Sequence, residues 1–162
     1  MYIIAKKYTY MSLDISSQKT PVPSVPKTEE RKWYFLDLKN QIPGRVATEI
    51  AILLRGKHEK LFLANLDLGS NVVITNAKKV HFTGKKLHDK YYYNHSGYPG
   101  KLRKRNTQEM LEKYSTELIW KIVWGMMPKN KLSKKQMTRL HVFSDEKHDK
   151  EAQEKKFIRI KV

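Results

Sequence analysis

The chain of 162 residues contains no cysteine, and only 16 of its residues are acidic. The absence of cysteine excludes disulfide bonds and every cysteine-liganded metal site. The six histidines are scattered without the spacing of a metal-binding motif, so we expect no metal and no other cofactor. No apolar run approaches the roughly 18 residues that a membrane-spanning helix requires, so we expect a soluble chain with no membrane partner.

The shortage of acidic residues leaves a large excess of positive charge. Thirty-three Lys and Arg residues give the chain a formal net charge of +17. An excess of this size is usually offset by a polyanion, and nucleic acid is the most common one. An anionic membrane surface is the alternative, but the sequence has no obvious basic amphipathic helix or polybasic anchor. We therefore expect a nucleic-acid partner and no small-molecule substrate.

The composition divides the chain into three parts. Residues 1–30 hold three of the six prolines and neither glycine nor arginine, which is typical of an extended arm. A targeting extension is the alternative for this part. Residues 31–145 are expected to form one domain, and residues 146–162 a charged C-terminal extension.

Hydrophobic periodicity predicts alternating strands and helices in the domain. Strands are expected at 33–38, 72–74, 80–83 and 140–143, and helices at 46–54, from 106 or 107 onward, at 118–126 and from Ser133, where Ser133–Gln136 has capping-box spacing. Gly56 and Pro128 are expected to end two of these helices. The alternating tail 157–162 suits either a strand or an extension over a partner. The order strand, helix, strand predicts a right-handed parallel crossover.

The most basic part of the chain is residues 85–105, with seven Lys or Arg residues against one acid, Asp89. Four tyrosines, together with His95, are interleaved with these cations. Cations neutralise phosphates, aromatic rings stack on unpaired bases, and glycines permit a close approach of the backbone. The segment is therefore predicted to bind RNA, the alternative being a solvated loop with its tyrosines in the core. The residues predicted to contact RNA are Lys85, Lys86, His95, Ser96, Gly97, Tyr98, Gly100, Lys101, Arg103, Lys104 and Arg105.

A second basic segment, residues 128–139, contains no acidic residue. Lysines at a helix N-terminus oppose the helix dipole, and a bound phosphate would relieve that conflict. The alternative is an exposed helix start covered with lysine. The predicted RNA-binding residues here are Lys129, Lys131, Lys134, Lys135 and Arg139. A third segment, residues 55–60, adds Arg55, Lys57 and His58, which equally suit the C-terminal end of a helix.

Catalysis is the competing interpretation of the polar residues. The candidates would be His95 with Ser96, or His148 with Asp149. A nucleophile needs a base and an orienting group within hydrogen-bond reach, and adjacency in sequence does not establish that geometry. The sequence has no phosphate-binding loop motif and no serine-hydrolase motif, so we expect no enzyme activity and no catalytic residues.

Several sequence blocks, in order, resemble a known family. They are Trp33-Tyr34, Gly44 to Thr48, Leu54 to His58, Asp67-Leu68-Gly69, Val72 to Ala77, Thr83 to Lys86, Tyr92 to Gly100, Gly125 to Lys129 and Arg139 to Phe143. Across roughly residues 31–153, their order and spacing resemble the bacterial-type ribosomal protein L-thirteen family of the large subunit. The most specific pair is His-Ser-Gly-Tyr-Pro-Gly with Gly-Met-Met-Pro-Lys. Lys101 stands where members commonly have glycine, and His148-Asp149-Lys150 replaces a typical His-Pro-His.

The resemblance implies a three-layer α/β/α domain with a largely parallel four-stranded sheet, plus extended N- and C-terminal arms. It implies a structural constituent of the large ribosomal subunit that binds large-subunit rRNA, contacts neighbouring ribosomal proteins and supports assembly. It also adds Arg45 to the RNA-binding residues. An RNA-processing enzyme or an extraribosomal mRNA-binding regulator is the alternative. Residues 128–132 and 139–143 look closer to mitochondrial members than to bacterial ones, and an N-terminal extension suits an organelle protein. Both features favour a mitochondrial ribosome over a plastid or bacterial one.

Overall fold

The computed structural model describes residues 24–27 and 30–160 of the protein. The expected arm, residues 1–30, lies almost wholly outside this part, and residues 24–27 have no regular secondary structure. The strands are β1 (Trp33–Asp37), β2 (Asn71–Thr75), β3 (Tyr91–His95), β4 (Leu102–Asn106), β5 (Leu140–Val142) and β6 (Phe157–Arg159). The α-helices are α1 (Pro43–Arg55), α2 (Lys86–Asp89), α3 (Thr107–Lys113), α4 (Ser115–Met126) and α5 (Lys131–Met137), and Ala77–Lys79 and Glu151–Lys156 form 3-10 helices.

Four of the strands form one sheet in the order β5-β2-β1-β6, in which every neighbouring pair is parallel. This arrangement confirms the predicted four-stranded parallel sheet with flanking helices. The strands β3 and β4 form a separate antiparallel pair. Within the described part of the chain, no helix combines the length and the hydropathy needed to cross a membrane.

One face of the sheet packs against α1 and α4 to form the core. The side chains that β1, β2 and the two helices contribute to this core cluster are Tyr34, Leu36, Val46, Ala47, Ile50, Ala51, Leu53, Leu54, Val72, Ile74, Ile119 and Val123. Apolar residues three or four apart give α1 its single buried face. Pro43 suits the first turn of α1, where a backbone N–H has no helical partner. Gly56 ends the helix in the left-handed conformation with a φ of 78°, which confirms the predicted helix end.

The opposite face of the sheet carries aromatic side chains, because residues alternate between faces along a strand. Residues 143–156 connect β5 at one edge with β6 at the other. His148 in this connection lies among Phe35, Phe143 and Phe157, with ring centroids 5.8 to 5.9 Å apart. Crossovers between parallel strands are right-handed, and this one crosses the sheet in the direction opposite to the crossover that contains α1. It therefore lies on the face of the sheet away from α1. The second flanking layer is therefore a connection that ends in a 3-10 helix.

The predicted strand at residues 80–83 is wrong. These residues are irregular and follow the 3-10 helix Ala77–Lys79, and the N–H of His81 donates to the carbonyl of Gln41 at 2.9 Å. Val80 is buried and Phe82 packs against the core, so their apolar character reflects loop packing. The fourth strand of the sheet is β6, so part of the tail residues 157–162 is joined to the sheet.

The predicted capping box at Ser133–Gln136 is also wrong. The helix α5 begins at Lys131, and the side-chain oxygen of Asn130 accepts a hydrogen bond from the N–H of Ser133 at 2.7 Å. Asparagine is a favoured N-cap residue, so the helix starts two residues before the predicted position. The predicted start of α3 at residue 106 or 107 and the predicted end of α4 before Pro128 are both confirmed.

Candidate nucleic-acid interface

The segment predicted to bind RNA contains a β-hairpin, which we define as residues 91–106. Tyr91 pairs with Asn106, and the register runs to His95 opposite Leu102. The sequence did not indicate these strands, because Lys, Arg and Asn are not typical strand residues. Backbone pairing between the two arms holds the cations and tyrosines in a fixed order.

The tip of the hairpin is a loop that joins the strands through residues 96–101. The N–H of Lys101 donates to the carbonyl of Tyr98 at 3.2 Å and closes a four-residue turn. Gly100 occupies the third position of this turn with a φ of 70°, directly after Pro99. Proline followed by a glycine of positive φ is typical of a type II turn. The Tyr98 side chain is 72% exposed at this tip.

Side chains along the hairpin alternate between two faces. What we call the outward face carries Tyr91, Tyr93, His95, Leu102 and Lys104. The inward face carries Tyr92, Asn94, Arg103 and Arg105. Tyr91 and Tyr93 are 40% and 60% exposed, whereas Tyr92 is half-buried. The pairing therefore separates the outward tyrosines from the inward one, and this separation was not evident in the sequence.

The base of the hairpin is attached to the helical part of the domain. The N–H and the hydroxyl of Thr107 donate to the carbonyl of Lys90 at 3.0 and 2.8 Å. The guanidinium of Arg105 lies 4.4 Å from the ring centroid of Tyr114 and 3.8 Å from a carboxylate oxygen of Glu117. The inward face at the base thus rests on the residues around the start of α4. The outward face is exposed instead.

The predicted cations of this segment differ in their accessibility. Lys85, Lys86, Lys101, Arg103 and Lys104 are exposed, and Arg105 is half-buried beside Tyr114. The ammonium nitrogen of Lys104 lies 3.8 Å from the ring centroid of Tyr91, an arrangement that places a cation directly over an aromatic face. The exposed cations can meet phosphates, and Arg105 mainly holds the hairpin in position.

Tertiary contacts bring part of this segment to the amino end of α1. Lys86 and Lys90 line a cleft of about 90 Å³ together with Pro43 and Gly44. The amino end of a helix carries partial positive charge, so the cleft combines this charge with two ammonium groups. The sequence predicts Lys86 as an RNA contact but not its position beside α1, since the two segments are about forty residues apart.

The second basic segment keeps three exposed lysines on α5: Lys131, Lys134 and Lys135. Lys129, just before the helix, donates a hydrogen bond to the carbonyl of Trp124, and its nitrogen lies 4.2 Å from the indole centroid. Asn130 already satisfies one free N–H of the helix start. The α5 lysines are thus free to attract an anion, while Lys129 is partly engaged within the domain.

Arg139, the last residue of that segment, has an internal partner. Its two terminal nitrogens donate to the two carboxylate oxygens of Asp67, each at 2.6 Å, and one also donates to the carbonyl of Leu54 at 3.2 Å. The side chains of Arg139 and Asp67 are only 11% and 7% exposed. Burial by itself would raise the pKa of Asp67, but the hydrogen bonds and charge of Arg139, with the charge of Arg31, hold it below its usual range. The charge of Arg139 is therefore paired inside the domain rather than exposed on the surface.

The residues predicted around α1 do not form one site. Arg45 lies in its first turn, whereas Arg55, Lys57 and His58 lie at or beyond its carboxyl end. A helix of 13 residues spans roughly 20 Å, so the two groups are well separated. The Nε2 atom of His58 lies 3.3 Å from the hydroxyl of Tyr34 and 3.2 Å from a carboxylate oxygen of Glu59. Arg45 and Lys57 are the exposed cations of this set.

The geometry around the candidate catalytic histidines does not assemble a catalytic set. Nδ1 of His95 accepts a hydrogen bond from the N–H of Gly97 at 3.0 Å, and Nδ1 of His148 accepts one from the N–H of Lys150 at 3.3 Å. No hydrogen bond joins His95 to Ser96 or His148 to Asp149 among the residues that the structure describes. In the same part of the chain, His, Asp and Glu do not cluster in a way that could hold a metal ion.

The fold and its surface define a class of small, parallel α/β domains that carry a projecting basic hairpin. The family model "Ribosomal protein L13" matches residues 31–149, which is most of the chain. The chain belongs to the ribosomal protein L13 family.

Relatives in several bacteria support this membership. A protein of Syntrophotalea carbinolica named large ribosomal subunit protein uL13 is 48% identical over 129 residues, covering 79% of this chain and 91% of its own length. Proteins of the same name in Syntrophus aciditrophicus and Geobacter sp. strain M21 are 44% and 45% identical. These two alignments cover 76% and 84% of this chain and 87% and 97% of the relatives. The resemblance seen in the sequence blocks is thereby confirmed.

Proposed function

We propose that this protein is a structural, non-enzymatic constituent of the large ribosomal subunit that binds large-subunit rRNA and supports subunit assembly. Membership of the ribosomal protein L13 family supports the ribosomal role, and the relatives are named as large-subunit proteins. The observation that carries rRNA binding is the exposed basic hairpin, which lies in a segment with seven cations and one acid. A surface of this kind needs a polyanion, and RNA is the one that a ribosome supplies.

The proposed principal interface is the hairpin with its approach, residues 85–105. Exposed Lys85, Lys86, Lys101, Arg103 and Lys104 would neutralise phosphates. His95, Ser96 and Tyr98, with Gly97 and Gly100, would bring the tip close to the RNA. Arg105 would act mainly by supporting the hairpin from within.

Two smaller basic surfaces are proposed as secondary contacts. The first is the exposed lysine set on α5, Lys131, Lys134 and Lys135, with Lys129 beside it. The second comprises Arg45, Arg55, Lys57 and His58 at the two ends of α1. These residues lie on different elements, so they would meet different parts of a folded RNA. Neighbouring large-subunit proteins would contact the rest of the exposed surface.

Sedimentation in a sucrose gradient tests the proposed function. We expect the protein to migrate with large subunits and to stay bound during a wash with high salt. A pool of free protein that turns over an RNA substrate would support the alternative of an RNA-processing enzyme. A free pool found in specific mRNA complexes would support an extraribosomal regulator. Either result, with large subunits lacking the protein, would contradict the proposal.

We further propose that the ribosome in question is mitochondrial. Residues 128–132 and 139–143 resemble mitochondrial members most closely, and residues 1–30 precede the part that matches the family model. The relatives described above are bacterial, so a bacterial ribosome is the competing outcome, with a plastid ribosome as the third. Fractionation of the source cells followed by detection of the protein in organellar or cytosolic ribosomes distinguishes these cases.

A further inference from the structure

The outward face of the hairpin has a chemistry different from that of its inward face. Tyr91, Tyr93 and His95 follow one another at every second position of β3, and Lys104 and Leu102 lie across from the last two. Arg103 and Arg105 are on the inward face instead. A contact made only with phosphates would need cations rather than rings. The outward face therefore suits a partner that presents flat surfaces as well as negative charge.

The rings on this face are available for contact. Tyr93 is 60% exposed and Tyr91 40% exposed, and in the described part of the chain no ring contact joins Tyr91, Tyr93 and His95. The ammonium of Lys104 covers one face of the Tyr91 ring and leaves its other face for stacking. Successive rings on one strand face are about 6.8 Å apart along the strand, which is about twice the thickness of a stacked base. Leu102, opposite His95, is 60% exposed and extends the apolar area.

We infer that the outward face binds unpaired nucleotides of the rRNA, with Tyr93 and Tyr91 stacking on bases and Lys104 meeting the adjacent phosphate. This inference rests on the proposed function and adds the kind of RNA recognised, because bases within a double helix do not expose their faces to side chains. Aromatic stacking is insensitive to base identity, so the hairpin would select unpaired structure rather than a particular sequence.

Electrostatics favour RNA over a neighbouring protein as the occupant of this face. Lys104 is over the Tyr91 ring at 3.8 Å, and its charge is not opposed by any acidic residue on the hairpin. The segment 85–105 holds seven cations and one acid. This excess of positive charge would repel a neighbouring ribosomal protein that is itself basic. A protein neighbour is therefore treated as the alternative outcome of the test.

Two substitutions at Tyr93 separate stacking from other roles. Tyr93→Phe keeps the ring and removes the hydroxyl, and Tyr93→Leu keeps an apolar side chain and removes the ring. The position is well exposed, so both variants should fold, which thermal melting of the full chain verifies. Arg103→Gln, on the inward face of the same hairpin, is the matched control because it removes a cation without touching the outward rings.

The measurement is binding of the full chain to two probes: large-subunit rRNA transcribed in vitro, and the same rRNA whose unpaired segments are closed by complementary oligonucleotides. With the open probe, we expect Tyr93→Phe to bind like the wild type and Tyr93→Leu to bind about tenfold more weakly at an unchanged salt dependence. Arg103→Gln should instead reduce the salt dependence. The complementary oligonucleotides should abolish the difference between the Phe and Leu variants.

Three results would overturn the inference. Equal losses of affinity for the open rRNA probe in Tyr93→Phe and Tyr93→Leu would show that the hydroxyl, rather than the ring, makes the contact. Normal rRNA binding by Tyr93→Leu, with or without poor incorporation into subunits, would assign the face to a protein or to no partner. In both cases the proposed function stands, since the wild type still binds rRNA. Failure of the wild type to bind rRNA would overturn the proposed function itself.

Discussion

Arg139 and Asp67 form a bidentate ion pair between residues that are 72 positions apart in the chain, with both nitrogen to oxygen distances at 2.6 Å. Arg31 joins the same carboxylate at 3.4 Å and also donates to the carbonyl of Gly69. Together with Arg31, the pair connects the segment before β1, the approach to β2 and the start of β5. The ion pair lies at the amino ends of three parallel strands. Arg139 is therefore buried inside the domain, although it belongs to a basic segment of the chain.

Removal of one partner of this pair should destabilise the domain strongly. Asp67→Asn or Arg139→Met leaves a buried charge without its partner, and such changes cost roughly 3–5 kcal/mol. Urea denaturation of the full chain measures the loss. The exposed pair Lys32–Glu59 provides the control, and Lys32→Gln should have at most a small effect. If Arg139→Met lowered the free energy of unfolding no more than Lys32→Gln does, the stabilising role of the buried pair would be contradicted.

The same carboxylate should make stability depend on pH. Because the folded state holds the pKa of Asp67 below its usual range, the ionised group stabilises the fold at pH values above the unfolded pKa of about 3.9. This contribution should disappear as the pH falls through the lower folded-state pKa. The difference in unfolding free energy between wild type and Asp67→Asn should therefore be largest near neutral pH and shrink below about pH 4. A difference that is constant from pH 7 to pH 3 would exclude the mechanism.

Gly69 should tolerate no side chain. A Cβ at this position would lie 1.8 Å from the carbonyl oxygen of Leu54 and 2.9 Å from the guanidinium of Arg139. Gly69→Ala must therefore displace the end of α1 or the ion pair, and we expect a loss of several kcal/mol of unfolding free energy, or no folded protein. Gly125→Ala is the matched control, because it lies in α4 with open space around it and should gain up to about 1 kcal/mol from helix propensity. Thermal melting of both variants gives the comparison.

Charge reversal on the exposed part of the interface should weaken RNA binding without unfolding the protein. We expect the triple variant Lys85→Glu, Lys86→Glu and Arg103→Glu to lose affinity for large-subunit rRNA and to lower its salt dependence by about one unit of slope per lost phosphate contact. The control reverses three exposed lysines elsewhere: Lys39, Lys113 and Lys147. Equal losses in both variants would indicate attraction by net charge alone. Normal incorporation of the Lys85, Lys86 and Arg103 triple variant into large subunits would instead favour the α5 lysines as the principal interface.

Truncation should separate the N-terminal arm from the domain. Residues 1–28 lack the apolar periodicity of a core element, so their deletion should leave the melting temperature unchanged. Arg31 lies three residues beyond this deletion and donates to Asp67 and Gly69, so Arg31→Ala in the full chain should lower the melting temperature. A large loss on deletion of residues 1–28 would show that the arm packs on the domain. Assembly of the truncated chain into subunits would report any role with a partner.

The sequence by itself determined the partner class and the main local elements. The net charge indicates a polyanion as partner, and the apolar spacing of 46–54 with Gly56 specifies α1. The ordered blocks also identified the family. These features depend on composition or on residues within a few positions of one another, so no tertiary contact was needed to find them.

Which basic and aromatic side chains are exposed depends on tertiary contacts. Arg139 belongs to a run of lysines in the sequence, yet Asp67 binds it inside the domain. Tyr92 and Tyr93 are neighbours, but strand pairing with β4 turns one inward and leaves the other exposed. Likewise, β6 rather than residues 80–83 completes the sheet, because β1 offers its free edge to a segment more than 120 residues away. Such pairings are set by long-range packing energies, which local propensity and periodicity do not encode.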